Sequence, residues 1–357
     1  MKALVLAGGS GTRLRPLTHT VSKQLVPIAN KPVLFHGLEA VRDAGITEVG
    51  VIIGPHGADV RRAVGDGSRF GLHVTYIPQE APLGLAHCVL IARDFLEDDD
   101  FVMYLGDNVI SGGIEHLVRE FWATRPDALV MVGKVPNPSE YGVAELDADG
   151  RVLQLEEKPS QPTSDLAVIG AYVFSSAIHQ AVRSIRPSWR NEREITDAIS
   201  WLVEHGSAVR GHVFSGYWKD TGRIADLLDG NRALLDLIDP ANAGEVDDES
   251  ELIGPVIVDA GARITRSRVI GPAVIGCMAS ITDSTVGAYT SIGAECDITS
   301  TDIADSIVLE GSTVSGVDAV RQSVIGRYAQ VHSRPALDTV PSRRLVLGDN
   351  TEVVIER

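Results

Sequence analysis

The chain has 357 residues, 44% hydrophobic and 22% charged, and its 32 basic side chains are outnumbered by 48 acidic ones, for a formal net charge of −16. That length and balance fit two globular domains rather than disorder, and the acidic surface excludes nucleic acid and anionic membranes as general partners, so a phosphate ligand has to meet a local basic site. Cys88, Cys277 and Cys296 form no close pair, which argues against a disulfide framework or a zinc ligand set and for a reducing cytoplasm, and no apolar run reaches the length of a bilayer span.

The first element is Lys2–Ala7, apolar enough for a buried parallel strand and too short for a signal peptide. It runs into Gly8, Gly9 and Gly11, where the absence of side chains lets the backbone turn tightly and bring several N–H groups round one anion. Arg13, Arg15 and Lys23 add charge nearby, which suits a polyphosphate. The loop is not a P-loop, since Gly11 is followed by Thr12-Arg13 rather than Lys-Ser/Thr, nor a dinucleotide fingerprint, which needs glycine or alanine where Leu14 stands. From the glycines alone, a tight turn without a ligand is the competing reading.

Further strands are expected at 48–54, 74–78, 101–105 and 128–135, with helices between them. The helix at 32–44 carries Val33, Leu34, Leu38 and Val41 at helical spacing and stops at Gly45. The acidic run from Glu97 to Asp100 reads as a solvated lead-in to the strand at 101–105 rather than a metal site. Such alternation implies a mostly parallel sheet with helices on both faces and ligands at the strands' carboxyl ends. Strands at 143–146 and 151–155 flank Asp147-Ala148-Asp149-Gly150 as a hairpin, so the sheet becomes mixed there. Helices follow at 195–205 and 223–238, and the acidic, aperiodic stretch at 240–251 reads as a linker.

Beyond it aliphatic residues recur at 258, 264, 269, 275, 281, 286, 292, 298, 303, 308, 314, 320, 325 and 331. Every third step is 16 or 17 residues long, one coil of a three-sided parallel β-helix that stacks an aliphatic side chain per corner on the coil below. Gly271, Gly276, Gly287 and Gly293 are expected to permit the sharp corners. A β-sandwich is the plainer alternative.

Nucleotidyl or phosphoryl transfer needs a metal, cations and a positioned nucleophile, and candidates for each are present. Asp107 follows the strand Phe101–Leu105, where a carboxylate reaches the ligand crevice; Asp220, in Trp218-Lys219-Asp220-Thr221-Gly222, is the second candidate. Taken singly, each serves equally well as a helix cap or a turn brace. Glu157-Lys158, stopped by Pro159, sets a hydroxyl acceptor beside a phosphate-holding ammonium, or is merely an exposed ion pair. Arg190, ahead of Glu194-Ile195-Thr196-Asp197, is either a second phosphate cation or a surface arginine.

These residues fall into a known set: GGSGTRLRPLT at 8–18, KQLVPIANKP at 23–32, GDN at 106–108, YGV at 141–143, EEKP at 156–159, REITD at 193–197 and YWKDTG at 217–222. With it the chain resembles, over essentially its whole length, the sugar-1-phosphate nucleotidylyltransferases. Within them it is most similar to the long-type glucose-1-phosphate thymidylyltransferases. The resemblance implies a Rossmann-like mixed-sheet nucleotidyltransferase domain at 1–239, a linker at 240–251 and a left-handed parallel β-helix at 252–357. It implies that Leu6, Gly8, Gly9, Gly11, Thr12 and Arg13 hold the nucleoside triphosphate, with Arg13 on the departing pyrophosphate and Lys23 at the α-phosphate. Gln79 would read the pyrimidine and Gly84 supply a backbone contact; Gly142, Glu157, Lys158, Gly170 and Arg190 would hold the sugar phosphate, and Asp107 with Asp220 would ligate Mg2+. The implied substrates are dTTP and glucose 1-phosphate, and the implied assembly is a cytoplasmic homo-oligomer without nucleic-acid or membrane partners. His87 and Asn191 stand where short-type relatives often carry glutamine and glycine, and the β-helix extension puts carry-over of their accessory end-product site in doubt. The rival within the class is a uridylyltransferase, since a glutamine alone does not distinguish thymine from uracil. From other classes come an acyltransferase built on the β-helix, or a bifunctional enzyme doing both, with His332 as the sole histidine after residue 251, and a binding protein with an inactive head.

Overall fold

The computed structural model describes residues 1–334 and 343–356; the remainder of the expected 252–357 domain lies outside the described residues. The chain divides into two compact units, one made of Met1–Ser10 with Val33–Asp220 and the other of Gly11–Pro32 with Thr221–Arg357. In chain order the first strands are β1 (Lys2–Ala7), β2 (Pro27–Ile28), β3 (Lys31–Pro32), β4 (Glu48–Ile53), β5 (His73–Pro78), β6 (Phe101–Leu105) and β7 (Asn108–Ile110). After them come β8 (Ala128–Lys134), β9 (Gly142–Leu146), β10 (Val152–Glu157), β11 (Leu166–Phe174), β12 (Val209–Val213) and β13 (Trp218–Asp220). The helices are α1 (Val33–Asp43), α2 (Gly57–Val64), α3 (Leu85–Ile91), α4 (Arg93–Leu96), α5 (Glu115–Thr124), α6 (Ile178–Ser184), α7 (Ile195–Glu204) and α8 (Ile224–Leu235).

In the first unit a mixed sheet runs β10-β9-β11-β6-β1-β4-β5, and β8 extends it by pairing with β11 and β12. β1 is central and buried from Ala3 to Ala7, as its apolar run requires, and lies parallel to β4 and β6. β11 returns antiparallel to β6 and β8, while β9 and β10 form the expected antiparallel hairpin. α1 ends before Gly45, whose φ of 81° takes the left-handed turn.

The second unit carries three stacks of short strands, each stack parallel throughout. Every aliphatic residue of the recurring series is buried in one continuous core. Register follows the series: Ile264, Ile281, Ile298, Val314 and Val331 pair in succession down one face. The stack also runs past the last aliphatic position found by spacing, with strands Val346–Leu347 and Glu352–Glu356 laid on the coil below.

Two expectations about this unit are corrected. Residues 240–251 are not a linker: strands Ala241–Asn242, Glu245–Val246 and Glu251–Ile253 pair with the next coil and form the first coil of the stack. Their acidic, aperiodic sequence misled because an end coil exposes most of these side chains and is held by backbone hydrogen bonds that need no apolar pattern. The boundary at 239 shifts as well, since α8 and residues 11–32 belong to the unit of the coils. The second correction concerns the glycines. Gly271, Gly276, Gly287 and Gly293 do not take left-handed φ; the corners are turned mainly by residues such as Met278, Asp283, Glu295 and Ser300. The four glycines are needed for closeness, because a Cβ on Gly276 would stand 2.7 Å from the Ala294 nitrogen and one on Gly287 2.6 Å from the Ala304 Cβ.

A second periodic device fixes one corner. Ser250, Ser267, Ser284 and Thr301 stack on one another; the N–H of Ser267 donates to Ser250 Oγ at 3.0 Å, that of Ser284 to Ser267 Oγ at 3.0 Å, and that of Thr301 to Ser284 Oγ at 3.1 Å. Each of the middle hydroxyls donates to the carbonyl two residues before it, at 2.7 Å for Ser267 and Ser284. Buried corner amides are thereby satisfied inside an apolar column.

Candidate active site

Parallel register brings four strand ends to one edge of the first unit's sheet. Ala7 pairs with Ile53, Ile53 with Pro78, and Leu6 with Leu105, so Gly8, Gly54, Gln79 and Asp107 emerge side by side at the carboxyl ends. Leu6 is buried and its carbonyl accepts the Gly106 N–H at 3.0 Å. A Cβ on Gly8 would lie 3.2 Å from Gln79 Oε1, so the glutamine side chain lies over the start of the glycine loop. Gly9 is exposed beyond it. Gly54 was not singled out by sequence, yet a Cβ there would stand 2.4 Å from the Gly8 carbonyl oxygen. Its only sequence signal is its place directly after β4.

Gly84 precedes α3 with φ 97°, and a Cβ there would meet the Arg193 carbonyl oxygen at 2.3 Å. This segment is laced to Arg193, whose carbonyl accepts the Ala86 N–H at 3.0 Å and whose N–H donates to the Leu83 carbonyl at 2.8 Å. Gln79 Nε2 also lies 3.1 Å from His87 Nδ1, and burial together with Arg193 holds that imidazole below its usual range.

Asp107 and Asp220 are brought together by a two-stranded ribbon: β7 and β13 pair antiparallel with Asn108 opposite Asp220. Asn108 Nδ2 donates to Asp107 Oδ1 at 2.9 Å, and Trp218 Nε1 donates to Asn108 Oδ1 at 2.6 Å. Gly170 makes room for this pair, since a Cβ on it would lie 2.8 Å from Asn108 Oδ1 and 3.1 Å from Trp218 Nε1. Gly170, expected to touch the sugar phosphate, therefore packs against the aspartate ribbon. Asn108 orients the Asp107 carboxylate and Trp218 braces Asn108; both were overlooked, although both stand inside motifs already singled out.

The expected sugar-phosphate residues do gather. Glu157 at the end of β10 pairs with Gly142, and a Cβ on Gly142 would collide with Thr196 Cγ2 at 2.6 Å. Thr196 Oγ1 donates to Glu157 Oε2 at 3.1 Å; Arg190 Nη1 lies 3.4 Å from Glu157 Oε1 and 3.4 Å from Glu194 Oε1; Lys158 Nζ lies 3.6 Å from Glu157 Oε1. Burial, reinforced by Glu194, raises the Glu157 carboxyl above the usual range against the opposing pull of Lys158, Thr196 and Arg190. A cleft of about 560 Å³ opens here, lined by Glu157, Ser188, Trp189, Glu194 and Asp197 among others. Thr196 and Glu194 escaped notice because their motif reads on its face as a helix start.

Gly11, Thr12, Arg13 and Lys23 belong to the second unit. Gly11 has φ 64° and is so close to Lys23 that a Cβ would stand 2.8 Å from the lysine Cβ, while Thr18 Oγ1 donates to the Gly11 carbonyl at 2.7 Å. Thr12 and Arg13 are exposed on the short 3-10 turn Thr12–Leu14. Among the described residues no three His, Cys, Asp or Glu side chains form a ready-made metal cage, no helix is long and apolar enough to cross a membrane, and the three cysteines are free.

A glycine loop at the end of a central parallel strand, two carboxylates on one ribbon and a separate cluster of Glu157 with Arg190 and Lys158 define a nucleotidyltransferase head. Residues 2–236 match the nucleotidyl transferase family model, and the chain belongs to that family. Among similar proteins, a glucose-1-phosphate thymidylyltransferase of Streptomyces griseus is 57% identical over 99% of both chains, and one of Streptomyces antibioticus is 55% identical over 100% of both. A Bacillus anthracis crystal structure assigned as a glucose-1-phosphate thymidylyltransferase, in complex with sucrose, superposes with a TM-score of 0.62 at 34% identity, covering 68% of this chain and 98% of that one.

Proposed function

We propose that this chain transfers the thymidylyl group of dTTP to α-D-glucose 1-phosphate, giving dTDP-glucose and pyrophosphate. The observation that carries the reading is the side-chain cluster in which Glu157, held by Thr196, meets Arg190 and Lys158, in a chain matched end to end by relatives named for this reaction. Lys158 and Arg190 bind the phosphate of the sugar, and Glu157 accepts its hydroxyls. Gln79, lying against Gly8, reads the pyrimidine edge, with Gly84 and Leu6 as the walls of that pocket. The amides of Gly8, Gly9, Gly11 and Thr12 cradle the triphosphate, Lys23 offsets charge at the α-phosphate, and Arg13 stays with the departing pyrophosphate. A phosphate oxygen of the sugar phosphate attacks the α-phosphorus in line, the bond to the β-phosphate oxygen breaks, and no covalent enzyme intermediate forms.

Asp107 and Asp220 offer hard oxygen donors on the two strands of one ribbon, with Asp107 braced by Asn108 and Asn108 by Trp218, and they would hold Mg2+. Such an ion supplies charge neutralisation and a template for the phosphates. The register and packing of the coils support a parallel β-helix, which we assign as left-handed on the hexapeptide pattern. Pyrophosphate release from dTTP, UTP, ATP, GTP and CTP against several sugar 1-phosphates tests the assignment. Preference for dTTP with glucose 1-phosphate is the expected result; preference for UTP would make the chain a uridylyltransferase.

A further inference from the structure

We propose that Asn231 is a positioning residue for nucleotidyl transfer: from α8 it holds the Ala29–Asn30 turn on the C-terminal coils and thereby sets the loop that carries Arg13 and Lys23. The inference rests on the reading of that loop as the triphosphate cradle. It gives the coils a part in the chemistry.

Asn231 is 1% exposed and its amide makes three hydrogen bonds. Oδ1 accepts the Ala29 N–H at 2.8 Å and the Ser291 hydroxyl at 2.7 Å, and Nδ2 donates to the Tyr289 carbonyl at 3.0 Å. One side chain thus ties the turn between β2 and β3 to a corner of the stack. The next residue repeats the link, Asn30 Nδ2 donating to the Ile292 carbonyl at 2.7 Å. Helix α8 is itself fixed to the coils, since Arg232 meets the Asp305 carboxylate with both Nε, at 2.7 Å, and Nη2.

The turn needs this support. β2 and β3 have two residues each, too few to stand alone, and both turn residues are left-handed, Ala29 at φ 46° and Asn30 at φ 60°. The left-handed backbone of Ala29 is strained, and such strain persists only where surrounding contacts over-determine the conformation. The remainder of the loop is knotted through Gly11, Thr18 and Lys23, and Thr20 Oγ1 donates to Asp349 Oδ2 at 2.6 Å, so the loop meets the coils at its middle as well as at the turn. A buried, three-partner amide at a strained turn in the segment bearing the cations is a device for setting their position.

The test uses the full-length chain and compares Asn231→Ala and Asn30→Ala with the parent in steady-state kinetics with dTTP and glucose 1-phosphate, and in amide hydrogen exchange. A loop displaced by about 1 Å loses on the order of 10- to 100-fold in kcat/KM for dTTP. The KM for glucose 1-phosphate stays near that of the parent, and exchange accelerates over residues 11–32 while β6 and β11 stay protected. Wild-type kinetics despite loosened exchange, or a parallel rise of KM for both substrates, overturns the positioning role. If Asn231→Ala does not fold, Asn30→Ala, which removes a single partly buried hydrogen bond, decides alone. Arg13→Ala in the same assay separates the two ideas: full turnover there removes the triphosphate reading itself, whereas a crippled Arg13→Ala beside unaffected asparagine variants removes only the role of Asn231.

Discussion

Glu157 is held under electrostatic tension, because burial and the neighbouring Glu194 oppose its ionisation while Lys158, Thr196 and Arg190 favour it. Folding raises its pKa, so its contribution to stability is full below the ordinary glutamate range and is lost as pH rises through the raised value. At neutral pH the carboxylate therefore weakens the folded state in return for binding sugar hydroxyls. Glu157→Gln is expected to raise the Tm at pH 7, with the gain vanishing below about pH 4, while lowering kcat/KM for glucose 1-phosphate. Thermal scans across pH with parallel kinetics check both, and an unchanged Tm at pH 7 would refute the tension. At Asp107, replacement by Asn keeps the shape and the Asn108 contact but removes charge, and turnover should fall by about 10²-fold or more. Undiminished magnesium-dependent activity would exclude it as a metal ligand. Gly54 makes a third case: Gly54→Ala sets a methyl against the Gly8 carbonyl and is expected to lower affinity for dTTP while leaving the fold intact, as a nucleotide titration would show.

Among the elements, the coils show how a column can be both apolar and fully hydrogen-bonded. From Val258 to Val320 each coil sets three aliphatic corner residues into the core, on the order of 1.5–3 kcal/mol apiece, and this shared burial makes stacking cooperative between neighbours. The hydroxyl ladder is what the aliphatic spacing leaves unread. Ser284→Ala strips a partner from the Thr301 N–H and from the Thr282 carbonyl at once, and is expected to cost about 1–3 kcal/mol, readable in a denaturant titration. Ser284→Thr should recover much of it, because threonine serves the same corner at position 301. In the head, the alternation of strands and helices was legible because each buried parallel strand is a short apolar run closed by turn residues. The spacing of the hexapeptide series was equally legible, but the first coil and the last were not, since end coils have neighbours on one side only and need not keep the pattern.

At the scale of the molecule, the division into units does not follow chain order. Residues 11–32, which lie early in the sequence, belong with α8 and the coils, held there by Asn231 and Asn30. A chain cut after residue 239 keeps Asn231 on Ala29 but removes the Tyr289, Ser291 and Ile292 anchors of Asn231 and Asn30, so the truncated head is expected to lose nucleotidyl transfer. A monomeric, fully active head would contradict that expectation directly. By itself the sequence determined the architecture of both parts and the strand-end placement of the glycine loop and of Asp107, because these depend on local periodicity and on motifs a few residues long, while the grouping of Glu157, Lys158 and Arg190 followed from the family resemblance. Only the tertiary structure decided the rest: that Gly54 must leave space for Gly8, that Gly170 serves the aspartate ribbon, that corner glycines answer to the coil below, and that Asn231 holds a turn two hundred residues before it. Each of these is a contact between segments far apart in the chain, and close approach in space leaves no periodic trace in sequence.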